Sequence, residues 1–137
     1  MIQQYLKNEL SELLPQLEWS EDFYSSQDNT GTVYSEGGTP PSYESGVLRP
    51  DYMVYIRSSD FKRSRDAALQ VYKHFHLRSN MIVMVEEKDE LGTVIRATKY
   101  RILLVTATTL PLRIGVENDI MEYSINFNVQ LQYWEGE

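Results

Sequence analysis

The chain contains no cysteine and only two histidines among its 137 residues. Disulfide bonds and thiolate metal centres are therefore excluded. His74 and His76 lie two residues apart in a predicted helix, where their side chains point about 200° apart. They do not share an ion in that arrangement, so we expect neither a metal nor a cofactor.

Long apolar runs and clustered basic residues are also scarce. No run approaches the roughly 20 apolar residues that a membrane-spanning helix needs, and no basic start followed by an apolar stretch marks a secretion signal. Acidic residues number 20 against 13 Lys and Arg, and the net charge of −7 opposes general binding to nucleic acid. We expect one soluble domain over residues 1–137 that binds no membrane.

The charge is unevenly distributed along the chain. Residues 1–51 carry two basic against nine acidic side chains, and residues 79–137 carry five against nine. Residues 57–78 carry six against two, a net charge of +4. This distribution predicts either a contact between subunits of opposite local charge or simply the surface of one monomer.

Apolar and polar side chains alternate from residue 122 to residue 133. A period of two predicts one long strand with one buried face. The apolar row is Tyr123, Ile125, Phe127, Val129, Leu131 and Tyr133. The opposite row carries only amides and a hydroxyl between Ser124 and Gln132, which is typical of a face that meets another chain or a wet cavity, or of an ordinary solvated face.

A second strand is predicted just upstream, over residues 101–109, with the sequence RILLVTATT. Strict alternation places Ile102 and Leu104 on one face and Leu103 and Val105 on the other. Apolar residues on both faces indicate a strand inside the sheet. The connecting sequence LPLRIGVENDI, punctuated by a proline and a glycine, predicts a shaped loop that is presented to a partner.

The N-terminal part predicts a helix and then a short strand. Apolar residues recur at three- and four-residue spacing from Ile2 to Leu17, which predicts an amphipathic helix that ends or bends near Pro15. Residues 19–24 alternate and predict the strand.

Residues 25–50 are dominated by Ser, Thr, Gly and Pro and predict a long loop. We interpret it as an arm that orders on a partner through its tyrosines, with a flexible surface loop as the alternative. Residues 32–35 and 43–48 are candidates for the weak arms of a hairpin within it.

The middle of the chain predicts a second helix between two strands, residues 51–57 and 80–85. The helix runs from an N-cap at residues 58–60 to about Leu77. Its buried stripe is Ala67, Ala68, Val71, Tyr72 and Phe75. The whole order is helix, strand, strand, helix and three strands, with the long loop between the first two strands. It predicts an α+β fold, a mostly antiparallel sheet with two helices packed on it.

No segment carries a catalytic signature. Ser58, Ser59 and Asp60 are typical of a helix cap rather than a nucleophile. The acidic turn at residues 86–92 lacks the spacing of a calcium loop, and the isolated glycines do not form a phosphate loop. We expect no enzyme activity, and we expect the basic cluster at residues 62–65 to meet a protein.

Four segments taken together resemble the tail terminator proteins, also called tail completion or minor capsid proteins, of long-tailed bacteriophages (siphophages or myophages). They are IQQYLKNELSELLP, DYMVYIRSSDFKRSRDAALQVYKHF, YRILLVTATTLPLRIGVENDI and EYSINFNVQLQYW. The strand that runs into an Ala-containing helix, the order Pro, Gly and acidic residues before the last strand, and its Ser-x-Asn-Phe core carry the resemblance. The segments cover roughly two thirds of the chain, and residues 25–50 and 86–92 depart from the family pattern.

The resemblance implies a structural virion protein, assembled in the host cytoplasm. Copies form a ring, usually a hexamer, on the finished tail tube. The ring stops tube polymerisation, offers its other face to the head completion or neck protein, and lets DNA pass through its hole. Such a ring needs a heterologous contact whose rotation closes.

Two groups of residues are predicted to serve this assembly. The candidates for the contact between subunits are Lys62, Arg63, Arg65, Ser124, Asn126, Asn128 and Gln130. The candidates for loops that face a partner or the channel are Asp28, Tyr34, Glu36, Tyr43, Glu44, Arg113, Glu117 and Asp119. Acidic residues around a channel would let DNA slide by repelling phosphate.

Two other functions fit the same residues. One is another head–tail connector, a stopper or adaptor that binds the portal side. The other is a small ligand-binding or enzymatic α+β domain with residues 111–119 as the mouth of its site.

Overall fold

A computed structural model describes residues 1–24, 28–41 and 46–134. The helices are α1, Gln3–Leu13, and α2, Phe61–Phe75. The strands are β1, Glu18–Glu21; β2, Thr30–Thr39; β3, Arg49–Ser58; β4, Ser79–Lys88; β5, Val94–Ala107; β6, Leu112–Glu117; and β7, Ile120–Tyr133.

The α+β class, the mostly antiparallel sheet and the two helices are confirmed. The sheet runs β1-β2-β3-β7-β5-β4, with β6 attached to β7. Among the described strands, only the β1–β2 pair is parallel. The predicted element order is wrong in detail, because three strands precede α2 and four follow it. The additional strands are β2 and β6, which lie where loops were predicted.

The predicted long strand at the C-terminal end is confirmed as β7, which lies between β3 and β5. Its inward row of Ile125, Phe127 and Val129 is at most 1% exposed. Phe127 meets Phe75 of α2 edge-to-face, with ring centroids 5.7 Å apart. Both helices pack into the same core cluster as this row. The inward side chains of β7 therefore determine how closely the helices approach the sheet.

The strict alternation predicted for β5 is wrong at one point. Ile102 lies opposite Leu131, whereas Leu104 lies opposite the preceding residue, Gln130, so the register shifts by one. Two residues of β5 therefore face one of β7, as in a β-bulge. The shift lets Ile102 and Val105 both point into the core, where they are 0% and 1% exposed.

The long loop predicted at residues 25–50 is wrong over residues 30–39 and 49–50, which are strand. Residues 30–39 form β2, which pairs with β3 on one side and β1 on the other. Gly31 is a packing position, because a Cβ there would lie 2.4 Å from a ring carbon of Trp19. Of the hairpin arms proposed in this region, residues 32–35 are strand, but their partner is β3. Residues 42–45 lie outside the described part of the chain.

The shaped loop predicted after β5 is a hairpin arm. β5 and β6 lie one after the other along the same edge of β7, with residues 108–111 between them as an interruption. Asn118 and Asp119 have φ angles of 52° and 62°. Two positive φ values between paired strands are the signature of a type I′ turn, the tight turn that matches strand twist.

The N-terminal helix lies inside the curl of the sheet, as the predicted apolar stripe requires. Ile2 and Leu17, at the two ends of that stripe, are 0% and 4% exposed. Gln4 lines one depression with Glu21 of β1 and Glu86 of β4, so the two edge strands approach each other across the helix. The Gln4 side chain donates to the carbonyl of Glu86 at 3.2 Å and accepts from its N–H at 3.3 Å. It thereby occupies hydrogen-bonding groups of an edge strand that a neighbouring strand would otherwise use.

The second helix begins and packs as predicted. The Asp60 side chain accepts from the N–H of Arg63 at 3.0 Å, the bond expected of an N-cap. The residues of the stripe that are at most 1% exposed are Ala67, Ala68, Val71 and Phe75. The two alanines let the helix lie close to the sheet.

One buried hydrogen bond joins the start of α1 to β3. The N–H of Ile2 donates to the hydroxyl of Tyr52 at 3.0 Å, and Tyr52 is 1% exposed. Burial raises the pKa of Tyr52 to about 12. The proton therefore stays on the phenol of the folded chain at pH values where the unfolded chain begins to lose it.

We expect Tyr52→Phe to lower the free energy of unfolding by about 1–3 kcal/mol, because the buried N–H of Ile2 loses its acceptor. Urea unfolding followed by circular dichroism measures the change. Tyr133→Phe is the matched control, since Tyr133 is 57% exposed and should change stability by less than about 0.5 kcal/mol.

The same variant has an expected pH signature. The Tyr52 contribution is fully present below pH 10 and is lost as the pH rises from 10 towards about 12, because only the unfolded state releases this proton there. The stability of Tyr52→Phe should therefore fall less steeply than that of the natural chain in this interval. Equal slopes would contradict the burial of this phenol.

Candidate subunit interface

The uncharged row of β7 lies on the sheet face opposite the helices, which we call the outer face. The register places Ser124 opposite Tyr55, Asn126 opposite Met53, and Asn128 opposite Asp51. Asn128 Nδ2 donates to Asp51 Oδ1 at 2.8 Å. Asn126, Asn128 and Gln130 are partly exposed, so their side chains remain available to a second copy.

The outer face is not uniformly open, and Ser124 illustrates this. Its side chain accepts from Asn126 Nδ2 at 3.0 Å, and the residue is only 4% exposed. Thr30 and Thr32 of β2 are 0% and 1% exposed on the same face. Ser124 therefore belongs to the packing of its own subunit in this structure, whereas the three amides beyond it are accessible.

A buried ion pair occupies the covered part of the outer face. Arg57 Nε lies 3.0 Å from Glu122 Oε2, and the two residues are 7% and 8% exposed. The guanidinium also lies 4.1 Å from the centre of the Tyr24 ring, a cation–π contact. Burial, followed by the hydrogen bond and charge of Glu122, raises the pKa of Tyr55 beside the pair. This arrangement holds charge inside the subunit.

Sequence reasoning missed this cluster. Arg57 and Glu122 stand at strand positions that alternate with apolar residues, so each would be assigned to a solvated face. Only the pairing of β3 with β7 sets them opposite each other. A lone charge at the end of an otherwise uncharged strand face was the one available signal.

Asp28, predicted to face a partner or the channel, and Arg63, predicted at the subunit contact, are both engaged within the chain near the start of α2. The Asp28 carboxylate accepts from the N–H and hydroxyl of Ser59 at 2.7 and 2.5 Å, and these bonds lower its pKa. Arg63 Nη1 donates to Asn29 Oδ1 at 3.1 Å. Asp28 and Arg63 thus tie the beginning of β2 to the helix.

Lys62 and Arg65 remain on the surface of α2. Both residues are exposed, and Arg65 Nε lies 3.7 Å from an oxygen of Asp66. Within the described ranges, Lys62 makes no ion pair. These two cations form the accessible part of the predicted basic cluster.

The other predicted partner residues do not form one patch. Asp28 precedes β2, whereas Glu36 lies near its far end and lines a depression of about 300 Å³ with Asp51. Tyr34 packs edge-to-face on Tyr55, with ring centroids 6.4 Å apart. The predictions for Tyr43 and Glu44 fall outside the described residues. The exposed candidates on the β6–β7 hairpin are Arg113, Glu117 and Asp119.

The β6 strand and the residue two positions before it carry exposed apolar side chains. Leu112, Ile114 and Val116 are 45%, 54% and 46% exposed, and Leu110 just before them is 66% exposed. Within the described chain, β6 pairs with β7 along one edge and has no strand on the other. An exposed apolar strand with an unpaired edge favours pairing with a strand of another chain.

Breaking the Arg57–Glu122 pair should be strongly destabilising. We expect Glu122→Gln to lower the free energy of unfolding by about 3 kcal/mol, because the buried guanidinium loses its counter-charge. The double variant Arg57→Met, Glu122→Leu should recover most of that loss, since it leaves no buried charge unpaired. Chemical unfolding of the single and double variants measures both effects. Additive losses in the double variant would contradict a coupled buried pair.

The described residues were compared with the requirements of a metal site and of a membrane-spanning helix. No group of three or more His or acidic side chains there is arranged to hold a metal ion. His74 and His76 turn to different partners, the first to Glu9 Oε1 at 3.3 Å and the second to the N–H of Ala107 at 3.0 Å. None of the helices in the described ranges is both long and apolar enough to cross a membrane.

No family model matches the sequence, and no curated protein matches it. The resemblance to tail terminator proteins therefore stays a prediction from the four sequence segments.

Proposed function

We propose that this chain is the subunit of a ring that caps the tail tube of a long-tailed phage. The ring ends polymerisation of the tube and provides the surface to which the neck of the head attaches. It is a structural part of the virion without catalytic residues, and DNA passes through its centre.

The exposed arm of β6 is the observation that carries the proposal. A monomer in water gains nothing from four large apolar side chains beside an unpaired strand edge. Covering them would remove apolar surface from water and pair free backbone groups. The four segments that resemble tail terminators indicate which assembly supplies the cover, and we assign the arm to the tube protein.

Ring closure needs a second, heterologous contact between copies. The exposed cations Lys62 and Arg65 lie on α2, while the whole chain is acidic, so charge complementarity between neighbours is available. The accessible amides Asn126, Asn128 and Gln130 offer hydrogen bonds on a face of the sheet that carries no helix. An acidic ring also suits a channel through which DNA slides.

Reversing the basic surface of α2 tests the contact between copies. We expect the double variant Lys62→Glu, Arg65→Glu to form no rings and to leave tail tubes free to lengthen, because its helix then repels the acidic neighbour. Both side chains are exposed, and Lys62 lies in the first turn, where an acidic side chain favours a helix, so the fold should be retained. Negative-stain images of rings and of tube length measure the effect.

A matched control distinguishes the effect of changing the α2 surface from the effect of changing the net charge. Lys7→Glu, Arg49→Glu changes the net charge by the same amount on other elements, and it should still cap tubes. Capping by both double variants would remove α2 from the interface.

Ile114→Asp tests the assignment of the arm to the tube. The side chain is 54% exposed, so the melting temperature should stay within about 2 °C of the natural value. Binding to tail tubes should fall by about tenfold or more, because a carboxylate replaces an apolar contact. Leu77→Asp, which changes another exposed leucine beyond α2, is the control and should bind as the natural chain does.

The partner found in a pull-down distinguishes the ring cap from another connector. Capture of the tube protein through an intact arm supports a terminator. Capture of the portal instead would make the chain a stopper or adaptor. A monomer that captures neither protein and is stabilised by small molecules would favour the ligand-binding domain.

A further inference from the structure

The β4–β5 hairpin extends beyond the rest of the sheet. β5 pairs with β7 only from Tyr100 onwards, so residues 94–98 have β4 as their sole strand partner among the described residues. We call residues 86–97 the ribbon. Nearly all of its residues are exposed, and Leu91 at its tip is 92% exposed.

A two-stranded ribbon of this kind gains little stability by itself in water. Hydrogen bonds to the Asp89 side chain nevertheless fix the conformation of the turn. Asp89 Oδ1 accepts from the N–H groups of Leu91 and Thr93 at 2.9 Å each. The ribbon therefore presents a defined tip that lacks a core of its own.

The ribbon combines apolar and acidic side chains. Leu91, Val94 and Ile95 are 92%, 46% and 65% exposed. The carboxylates of the ribbon, Glu86, Glu87, Asp89 and Glu90, outnumber its two cations, Lys88 and Arg96. A complementary surface would be basic around an apolar contact.

The outer side of α2 has that complementary character. Leu69 is 41% exposed and lines a shallow depression of about 250 Å³ together with Asp66, Gln70 and Lys73. Arg65 stands one helical turn before Leu69 and Lys73 one turn after it. An exposed leucine is thus framed by two cations on one helix face.

The ribbon and this helix face cannot meet within one subunit. α2 ends beside the start of β4, where the N–H of Leu77 donates to the carbonyl of Val105 at 2.8 Å. From there β4 runs away from the helix for 10 residues, a distance of about 33 Å. The tip of the ribbon therefore lies far from this helix face, so each of the two surfaces can meet a different copy, as the two halves of a head-to-tail contact do.

We propose that the ribbon of one copy docks on the outer side of α2 of the next copy, with Leu91 against Leu69 and the carboxylates of the ribbon against Arg65 and Lys73. This inference rests on the proposed ring function and names the second half of its subunit contact. A heterologous contact of this type repeats around the ring until it closes.

Disulfide trapping tests the contact directly, because the natural chain has no cysteine and so gives no background. The double variant Leu69→Cys, Leu91→Cys is oxidised in the presence of tail tubes and analysed on a non-reducing gel. We expect a ladder of covalent multimers that ends at the size of the ring. Each single-cysteine variant forms at most dimers.

The control variant is Leu77→Cys, Leu91→Cys, which moves one thiol off the helix face to another exposed leucine. It should give no ladder. A ladder of equal yield from the control would show random collision and overturn the proposal. Absence of a ladder from Leu69→Cys, Leu91→Cys while that variant still caps tubes would overturn the ribbon contact and leave the proposed function standing.

Failure of the natural chain to form rings or to cap tubes would overturn the ribbon contact and the proposed function together.

Charge exchange gives an independent readout. Two pairs of changes are each added to the disulfide variant. The first pair is Glu87→Lys with Glu90→Lys in the ribbon, and the second is Arg65→Glu with Lys73→Glu on α2. Each pair alone should lower the yield of the ladder about tenfold. Combining all four changes in one chain should restore it, whereas a combined variant as poor as its parents would contradict the pairing of these charges.

Discussion

The inward row of β7 is the constraint on which the rest of this fold depends. Ile125, Phe127 and Val129 face both helices and stand beside buried residues of β3 and β5. A slip of one residue would bring amides into the core and expose the apolar row. The single-residue bulge in β5 is explained by the same demand, because it returns Val105 to the buried side after Ile102 has paired.

The curl of the sheet follows from where the N-terminal helix lies. α1 buries its stripe against the inner face, and its Gln4 side chain occupies the free edge of β4 at Glu86. The edge strand is therefore held at Glu86, the first residue of the ribbon. Stability is concentrated around α1, α2 and β7, and the exposed elements extend from that centre.

Charge is used in two different ways. Arg57 and Glu122 are buried together and join β3 to β7 on the outer face of the sheet. By contrast, solvent surrounds Arg65 and Lys73 on α2 and most carboxylates of the ribbon. Buried pairs stabilise only when both partners are present, whereas exposed charges mainly direct which surfaces approach each other. We regard the first group as part of the fold and the second as part of assembly.

The sequence by itself determined the α+β class, both helices, their buried stripes, the cap at Asp60 and the long strand β7. These features depend on local periodicity and capping, which neighbouring residues along the chain encode directly. It did not reveal β2, because Gly31 and the threonines of that strand look like loop residues until Trp19 and β3 cover them.

Tertiary structure alone decided the features that involve distant segments. It paired Arg57 with Glu122 across 65 residues of sequence, turned residues 112–117 into an arm, and let the ribbon extend past its neighbours. It also placed Ser124 inside the subunit and left Asn126, Asn128 and Gln130 accessible. The physical reason is that pairing between distant segments decides which strands are neighbours and which strand lies at the edge of a sheet. A local pattern of side chains does not specify the distant partner.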